Sequence, residues 1–220
     1  QPIEQIAAIA QKAGVLLHVD ATQVVGKLPI NLQNLSVDLL SFSGHKIYAP
    51  KGVGALFIRK NTAVIAQQDG GKHERGRRSG TLNVPGIVGL GKAAEILNTE
   101  LSAENYRLEK LRNLLEEELI RQLPTCSINA QEAVRLPHIS NICFSGIDGE
   151  ELLNRLTTLA VSNGSACNSA TTEPSYVLRA IGLSETDAYS SIRFSLGRFS
   201  TETDILAAVE VVKRVVDTLL

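Results

Sequence analysis

The chain has 220 residues, of which 44% are hydrophobic and 20% are charged, and its formal net charge is -1 at pH 7. A chain of this length and composition can bury a core, which excludes the disordered and fibrous classes of protein. The small charge gives no reason to expect nucleic acid or an anionic membrane as a partner, and no apolar run reaches the ~20 residues of a membrane-spanning helix.

The first part of the chain predicts one helix and three strands. Apolar residues at helical spacing indicate a helix over residues 2–14, with Gly14 as its C-terminal stop. Three apolar runs predict strands, at residues 15–20, 37–42 and 52–59. A hairpin-like turn at residues 50–52 would join the last two. Because the first helix has no strand before it and the sequence contains no methionine, we expect a further N-terminal portion.

The rest of the chain predicts mixed helices and strands. Residues 69–81 are rich in glycine and basic side chains, which is typical of a surface or interface loop. Helices are predicted over 84–98, 103–123, 149–158 and 201–219, and strands over 138–144 and 190–196. Thr201 and Asp204 have the spacing of a helix N-cap. We therefore expect an α/β protein: residues 1–100 would belong to a large domain with a mostly parallel sheet, and residues 101–220 would form a smaller α+β domain.

Two motifs follow the first two predicted strands, HVDATQ at residues 18–23 and SFSGHK at residues 41–46. They place Asp20 and Lys46 at the carboxyl ends of strands, where open α/β sheets bind ligands. A lysine amine can form an imine with an aldehyde cofactor, and a carboxylate can keep the ring nitrogen of that cofactor protonated. The pair therefore indicates pyridoxal phosphate (PLP). Taken singly, Asp20 could cap the following turn and Lys46 could be an ordinary solvated lysine.

Four further polar residues suit the same cofactor. Gln23 can donate a hydrogen bond to the phenolic oxygen of the ring, and Ser43 and His45 are placed to bind the phosphate. Thr81 is a hydroxyl in a glycine-flanked loop, which also suits phosphate. The sequence has neither a GxxxxGK[ST] loop nor a GxGxxG loop, so nothing indicates a nucleotide instead.

Cys167 is the candidate nucleophile. It lies in the segment NGSACNSA, where small and polar neighbours favour an exposed thiol, and a thiol with a pKa near 8.5 is partly ionised at neutral pH. A redox-sensing thiol is an alternative, although it leaves Asp20 and Lys46 unexplained. Cys126 and Cys143 lie in or near apolar segments and are expected to be buried. Three cysteines without metal-ligand spacing favour a reducing compartment, so we expect a cytoplasmic protein without a bound metal.

Five of the arginines have candidate roles, which are of three kinds. Arg193 lies in a predicted strand, where a guanidinium needs a partner, and its fork geometry suits a substrate carboxylate. Arg198 is expected to form a structural ion pair. Arg75, Arg77 and Arg78 could contact nucleic acid, but their segment lacks the interleaved aromatic residues of such sites.

Taken together, the motifs resemble the NifS/IscS family of cysteine desulfurases, which are PLP enzymes with the aspartate-aminotransferase fold (fold type I). The matching segments, in the family's order, are HVDATQ, SFSGHK, HERGRRSGT, NGSACNSATTEPSYVLRAIG and SSIRFSLGRFS. The length of the cysteine loop resembles that of the IscS-like group. The family's N-terminal stretch, with a phosphate-binding loop and a histidine stacked on the cofactor, has no counterpart in this sequence.

The resemblance implies a cofactor role for each residue near the strand ends. Lys46 would bind the cofactor aldehyde, Asp20 would pair with the pyridine nitrogen and Gln23 would contact the phenolic oxygen. Ser43 and His45 would hold the phosphate.

The resemblance also implies a homodimer and a reaction. Thr81 would reach the phosphate bound in the neighbouring subunit. Arg193 would bind the carboxylate of L-cysteine, and Cys167 would take the substrate sulfur as a persulfide while L-alanine is released. The sulfur would then pass to a scaffold for iron–sulfur clusters or to a tRNA-thiolation protein.

Two other interpretations stay open. The chain could be a related PLP lyase or aminotransferase that turns over without a persulfide. It could also be a catalytically incomplete piece that only dimerises or binds a partner. A metal-binding module fits poorly, since the four histidines and three cysteines show no ligand spacing.

Overall fold

The computed structural model describes residues 1–163 and 174–220. The chain divides into two compact units, Gln1–Leu101 and Ser102–Leu220. The division falls within one long helix, and each unit has its own sheet and its own core.

The first unit contains two helices, three strands and the start of the long helix. These elements are α1 (Ile3–Ala13), β1 (His18–Asp20), β2 (Leu39–Ser43), β3 (Gly54–Ile58), α2 (His73–Gly76) and α3 (Val84–Gln122). The predicted stop of α1 is confirmed: Gly14 has φ 67° and its N–H contacts the carbonyls of Ala10 and Gln11. Glycine adopts this left-handed conformation without the steric penalty of a Cβ.

The sheet of the first unit has the order β1-β2-β3. β1 pairs parallel with β2, and β3 pairs antiparallel with β2, so the described sheet is mixed. β1 is shorter than the sequence predicts, because its ladder begins where Leu39 of β2 pairs with His18. Val15 and Leu16 precede the ladder and are exposed.

In its described residues, the second unit packs four shorter helices and three strands against the rest of α3. These elements are β4 (Cys126–Ile128), β5 (Ile139–Phe144), α4 (Gly149–Arg155), α5 (Tyr176–Ala180), α6 (Glu185–Tyr189), β6 (Ser191–Ser195) and α7 (Glu202–Asp217). The sheet is antiparallel with the order β4-β5-β6. Its core joins α3, the sheet and α7 through fully buried side chains such as Leu115, Ile192 and Val212.

Two helices predicted over 84–98 and 103–123 are one helix of 39 residues. The residues between them, 99–102, are mostly polar but include neither glycine nor proline, so nothing in them stops a helix. Thr99 instead donates its hydroxyl to the carbonyl of Ile96 at 2.9 Å, a bond made within the helix.

The loop that follows β6 is tied to α3 by two arginines. Arg198 forms the expected structural ion pair, with Glu104 of α3. Arg107 of α3 donates to the carbonyls of Ser200 and Arg198, each at 2.6 Å. Half-buried guanidinium groups with several acceptors fix backbone geometry, so these contacts hold the end of β6.

The last helix begins as its sequence predicts. The Thr201 side chain accepts a hydrogen bond from the Asp204 amide at 3.2 Å, and Asp204 accepts one from the Thr201 amide at 2.9 Å. This reciprocal pair is a capping box. None of the helices in the described residues combines the length and the hydropathy that a membrane span requires.

Candidate active site

Four of the candidate residues lie at one edge of the first unit's sheet. Asp20 is the last residue of β1, and its Cα pairs with that of Ser41 in the parallel strand β2. Ser43 ends β2, and His45 and Lys46 follow in a 3-10 turn, Gly44–Ile47. The carboxyl ends of parallel strands β1 and β2 therefore present a carboxylate, a hydroxyl, an imidazole and an amine together.

The carboxylate of Asp20 is held by the turn that follows it. Its Oδ1 accepts a hydrogen bond from the backbone N–H of Thr22 at 2.9 Å. Hydrogen bonds from the side chain and backbone of Thr22 lower the pKa of Asp20 below its ordinary value, and the nearby His18 adds to the effect. Asp20 is exposed at the sheet edge and stays ionised at neutral pH, as a partner of a protonated ring nitrogen must.

Ser43 and His45 form a pair across the start of the turn. The Oγ of Ser43 lies 2.7 Å from Nδ1 of His45, so one of the two groups donates to the other. Ser43 is half-buried and His45 is exposed. A hydroxyl and an imidazole held this way offer two hydrogen-bonding groups to an anion at the sheet edge.

Lys46 is exposed within a turn whose backbone is fixed. Gly44 is buried and donates its N–H to the carbonyl of Val53 at 2.8 Å. A Cβ at Gly44 would lie 2.9 Å from that same oxygen, which is closer than real Cβ contacts. Ile47 is buried on the other side of Lys46. Among the residues that the structure describes, the Lys46 amine makes no hydrogen bond or ion pair, which leaves it available to a ligand.

Two candidates lie in loops of the same unit. Gln23 is exposed in the turn after β1, and Thr81 is exposed in the segment between α2 and α3. Neither side chain hydrogen-bonds to Asp20 or Lys46 within the described part of the chain.

His18 also lies at the sheet edge, although no role for it was predicted from the sequence. Its Nε2 lies 3.0 Å from the Oγ of Ser41 on β2. The signal was present in the sequence, since residues two apart in a strand share a face and His18 is two residues before Asp20.

Arg193 belongs to the second unit. It is half-buried on β6 between Asn141 of β5 and Ser162, and its backbone N–H donates to the Ser162 carbonyl at 2.6 Å. Its Nε is buried and has no hydrogen-bond partner among the described residues. A buried guanidinium nitrogen without an acceptor is costly, and a bound carboxylate would satisfy it.

The three cysteines fall into two classes. Cys126 and Cys143 are buried and free, as expected from their apolar segments. Burial raises the pKa of Cys126 to about 12, with a smaller contribution from Cys143. Burial also raises the pKa of Cys143, with a contribution from Asp187. Cys167 lies outside the described residues.

The residues at the sheet edge fit PLP by the chemistry of their side chains. An ionised carboxylate suits the ring nitrogen, a paired hydroxyl and imidazole suit the phosphate, and an unengaged amine suits the aldehyde. No group of three or more histidine, cysteine or acidic side chains in residues 1–163 and 174–220 is arranged to hold a metal ion.

Comparison with protein families gives a match over nearly the whole chain. The family model described as aminotransferase class-V matches residues 1–207. A protein of Anaeromyxobacter sp. (strain Fw109-5) named cysteine desulfurase IscS is 53% identical over 213 residues, which cover 96% of this chain and 53% of that protein. A protein of the same name from Edwardsiella ictaluri (strain 93-146) is 51% identical over 221 residues, covering 100% of this chain and 54% of that protein.

Solved structures agree with the sequence relatives. A NifS-like protein matches with a TM-score of 0.89 at 37% identity, over 100% of this chain and 57% of that chain. A NifS-like protein from Rickettsia africae ESF-5 matches with a TM-score of 0.86 at 32% identity, over 98% of this chain and 57% of that chain. The chain spans about half the length of the curated relatives it matches.

Proposed function

The chain belongs to the class-V aminotransferase family, whose members depend on PLP, and from this premise we propose that it acts as a cysteine desulfurase. The proposed reaction converts L-cysteine to L-alanine and leaves the sulfur on Cys167 as a persulfide. The observation that carries the proposal is the set of Asp20, Ser43, His45 and Lys46 at the carboxyl edge of β1 and β2. The relatives named cysteine desulfurase IscS support the reaction class.

Five side chains besides Lys46 would bind the cofactor. Asp20 would hold the protonated ring nitrogen, since its lowered pKa keeps the carboxylate charged. Ser43 and His45 would bind the phosphate through the pair they already form. Gln23 would contact the phenolic oxygen, and Thr81 would reach the phosphate of a second subunit. When bound, PLP supplies an electron sink for charge that develops on the substrate carbon.

Lys46 and Arg193 would act on the substrate, Lys46 by proton transfer and Arg193 by binding. The exposed Lys46 amine would bind the cofactor aldehyde and move a proton at the substrate Cα. Arg193 would hold the α-carboxylate of L-cysteine, and the unsatisfied Nε of its side chain supports this role.

Cys167 would take the sulfur. Its thiolate attacks the substrate Sγ, so that a sulfur–sulfur bond forms and the bond between the substrate Cβ and Sγ breaks. The electron pair of the broken bond stays on the carbon, which takes a proton and leaves as L-alanine. The step balances without an external oxidant, because the two electrons that the sulfur atoms lose in forming the persulfide are gained by the substrate Cβ.

The proposal is tested by comparing two cysteine variants with the parent, each incubated with PLP and L-cysteine. Cys167→Ser should form no alanine and should lack the persulfide, which adds the mass of one sulfur atom, about 32 Da. Cys143→Ala, which changes a buried thiol with a raised pKa, should keep both. Full alanine formation by Cys167→Ser would contradict the assignment of Cys167.

The same measurement separates the alternatives. A PLP lyase or aminotransferase would turn over without a persulfide on Cys167. A piece that only dimerises or binds a partner would give neither alanine nor persulfide, and the half-length match to the relatives keeps this outcome relevant.

We also propose a cytoplasmic homodimer that passes its sulfur to an iron–sulfur scaffold or to a tRNA-thiolation protein. The odd number of cysteines supports a reducing compartment, and the exposed basic loop 69–81 supports a contact with a second subunit. Light scattering should give the mass of two chains, and a monomer at micromolar concentration would contradict the dimer.

A further inference from the structure

Lys27 is a buried lysine beside the turn that carries Lys46. Its residue is 7% exposed, although lysines are seldom buried unless their charge is engaged. The Nζ of Lys27 lies 5.6 Å from the centroid of the Tyr48 ring, within the range of a cation–π contact. Tyr48 is the second residue after Lys46, so the contact bears directly on the candidate site.

Tyr48 has an unfavourable backbone conformation that closes this turn. Its φ is 66° and its ψ is 14°, in the left-handed region that bulky residues rarely adopt. Tyr48 directs its own N–H to the carbonyl of Gly44, and the N–H of Ala49 donates to the same oxygen at 3.1 Å. Backbone of this kind persists only where surrounding contacts impose it, and such residues cluster at functional sites.

The neighbouring residues make a matching contact. Gly26 precedes Lys27, and a Cβ at Gly26 would lie only 2.7 Å from Cγ2 of Ile47. Ile47 therefore packs against the bare backbone of Gly26, while Tyr48 stacks on Lys27. Two consecutive residues after Lys46 thus rest on two consecutive residues of the turn that follows β1.

We propose that Lys27 is a positioning residue: its ammonium packs on the ring of Tyr48, holds Tyr48 in the left-handed conformation and so fixes the turn that presents the Lys46 amine. The inference rests on the proposed function in that Lys46 is taken as the group that binds the cofactor. The Lys27 side chain itself need not touch that cofactor.

The first test measures the turn without any cofactor, by amide hydrogen exchange of Tyr48 and Ala49 in NMR spectra. Lys27→Met keeps the apolar stem but removes the charge, and should speed exchange at both amides about tenfold. The matched control is Lys110→Met, which removes an exposed cation 4.4 Å from the ring centroid of Tyr106 and should leave Tyr48 and Ala49 unchanged.

A glycine variant separates this effect from a general loss of stability. Tyr48→Gly accepts the left-handed conformation without strain, so adding Lys27→Met to it should change the exchange of Ala49 less than twofold. Lys27→Arg keeps a cation over the ring and should restore parent exchange. Unchanged exchange in Lys27→Met, or equal acceleration in all strands of the first unit, would overturn the proposal.

The second readout is the rate at which PLP becomes attached to Lys46, trapped with borohydride and located by peptide mass. Lys27→Met should slow attachment about fivefold, and Lys27→Arg should recover it. Faster exchange with an unchanged attachment rate would overturn the positioning role. A parent chain that forms no adduct at Lys46 would contradict the proposed function instead, and the exchange data alone would then decide whether Lys27 fixes the turn.

Discussion

The backbone N–H of Thr22 donates to Oδ1 of Asp20 at 2.9 Å, so the turn after β1 orients the carboxylate at the sheet edge. A hydrogen bond from the Thr22 side chain, together with this backbone bond, keeps the pKa of Asp20 below its ordinary value. The carboxylate is therefore charged and fixed before any cofactor arrives, as preorganised electrostatic stabilisation requires.

Asp20→Asn should remove the negative charge while leaving the fold intact, because the side chain is exposed. We expect alanine formation from L-cysteine to fall at least about 100-fold, the usual effect of losing one preorganised charged group. The melting temperature should hardly change. A steady-state assay beside a circular dichroism melt measures both, and parent activity in Asp20→Asn would remove Asp20 from the site.

The buried thiols should be unreactive in the folded chain. Since the pKa of Cys126 is about 12, this thiol stays protonated at pH 8, and Cys143 is shifted in the same direction. Iodoacetamide should modify Cys167 at least about ten times faster than Cys126 or Cys143, and this difference in rate should disappear in urea. Equal alkylation of all three cysteines in the folded chain would contradict this.

The same shift fixes the sign of a pH effect on stability. The folded chain holds the Cys126 proton more tightly than the unfolded chain, in which the thiol has its ordinary pKa of 9.0. The stabilisation is complete below that pH and is lost as the pH rises toward 12. The urea midpoint of the parent should fall as the pH rises above 9, and that of Cys126→Ala should fall less. An equal fall of the two midpoints with pH would contradict the raised pKa of Cys126.

Two glycines with similar backbones separate the cost of conformation from the cost of packing. Gly26 has φ 76°, and a Cβ there would lie 2.7 Å from Ile47 and 2.9 Å from Leu97, whereas Gly14 has φ 67° and nothing within 4 Å. Gly14→Ala should lose about 1 kcal/mol, and Gly26→Ala should lose about 1–3 kcal/mol more because of the overlap. Urea unfolding measures the two, and equal losses would show that the packing of Ile47 on Gly26 carries no energy.

The sequence predicted the sheet edge because its signals are local. Apolar runs located β1 and β2, and the polar residues after each run followed the rule for parallel strands. Gly14 and Thr201 marked helix ends through their own chemistry, and the structure confirms both ends.

Other features could not be predicted because they depend on tertiary contacts. β4 has three residues, which is too short for a periodic signal, and exists through its ladder with β5. The five-residue helices α5 and α6 rest on N-caps from Ser175 and Ser184. The contact between Lys27 and Tyr48 joins residues that no motif links.

The second unit should depend on a buried ion network on α3. Glu116 accepts two hydrogen bonds from Arg135, at 2.6 and 3.1 Å, and lies 3.9 Å from Arg112. The side chains of Glu116 and Arg112 are each only 7% exposed. Glu116→Gln would leave the half-buried Arg135 without its carboxylate partner and Arg112 with Glu109 alone, and should cost about 3 kcal/mol. Glu151→Gln breaks an exposed pair with Arg155 in the same unit and should cost little. Equal urea midpoints for the two variants would contradict the importance of the buried network.

The PLP site at the edge of β1 and β2 can be tested by incubating the folded chain with PLP, reducing with borohydride and mapping the adduct by peptide mass. We expect a pyridoxyl group on Lys46, and the neighbouring exposed lysine Lys51 should stay unmodified at stoichiometric PLP. An adduct spread over several lysines, or none on Lys46 in a folded sample, would contradict the claim that the edge of β1 and β2 is a PLP site.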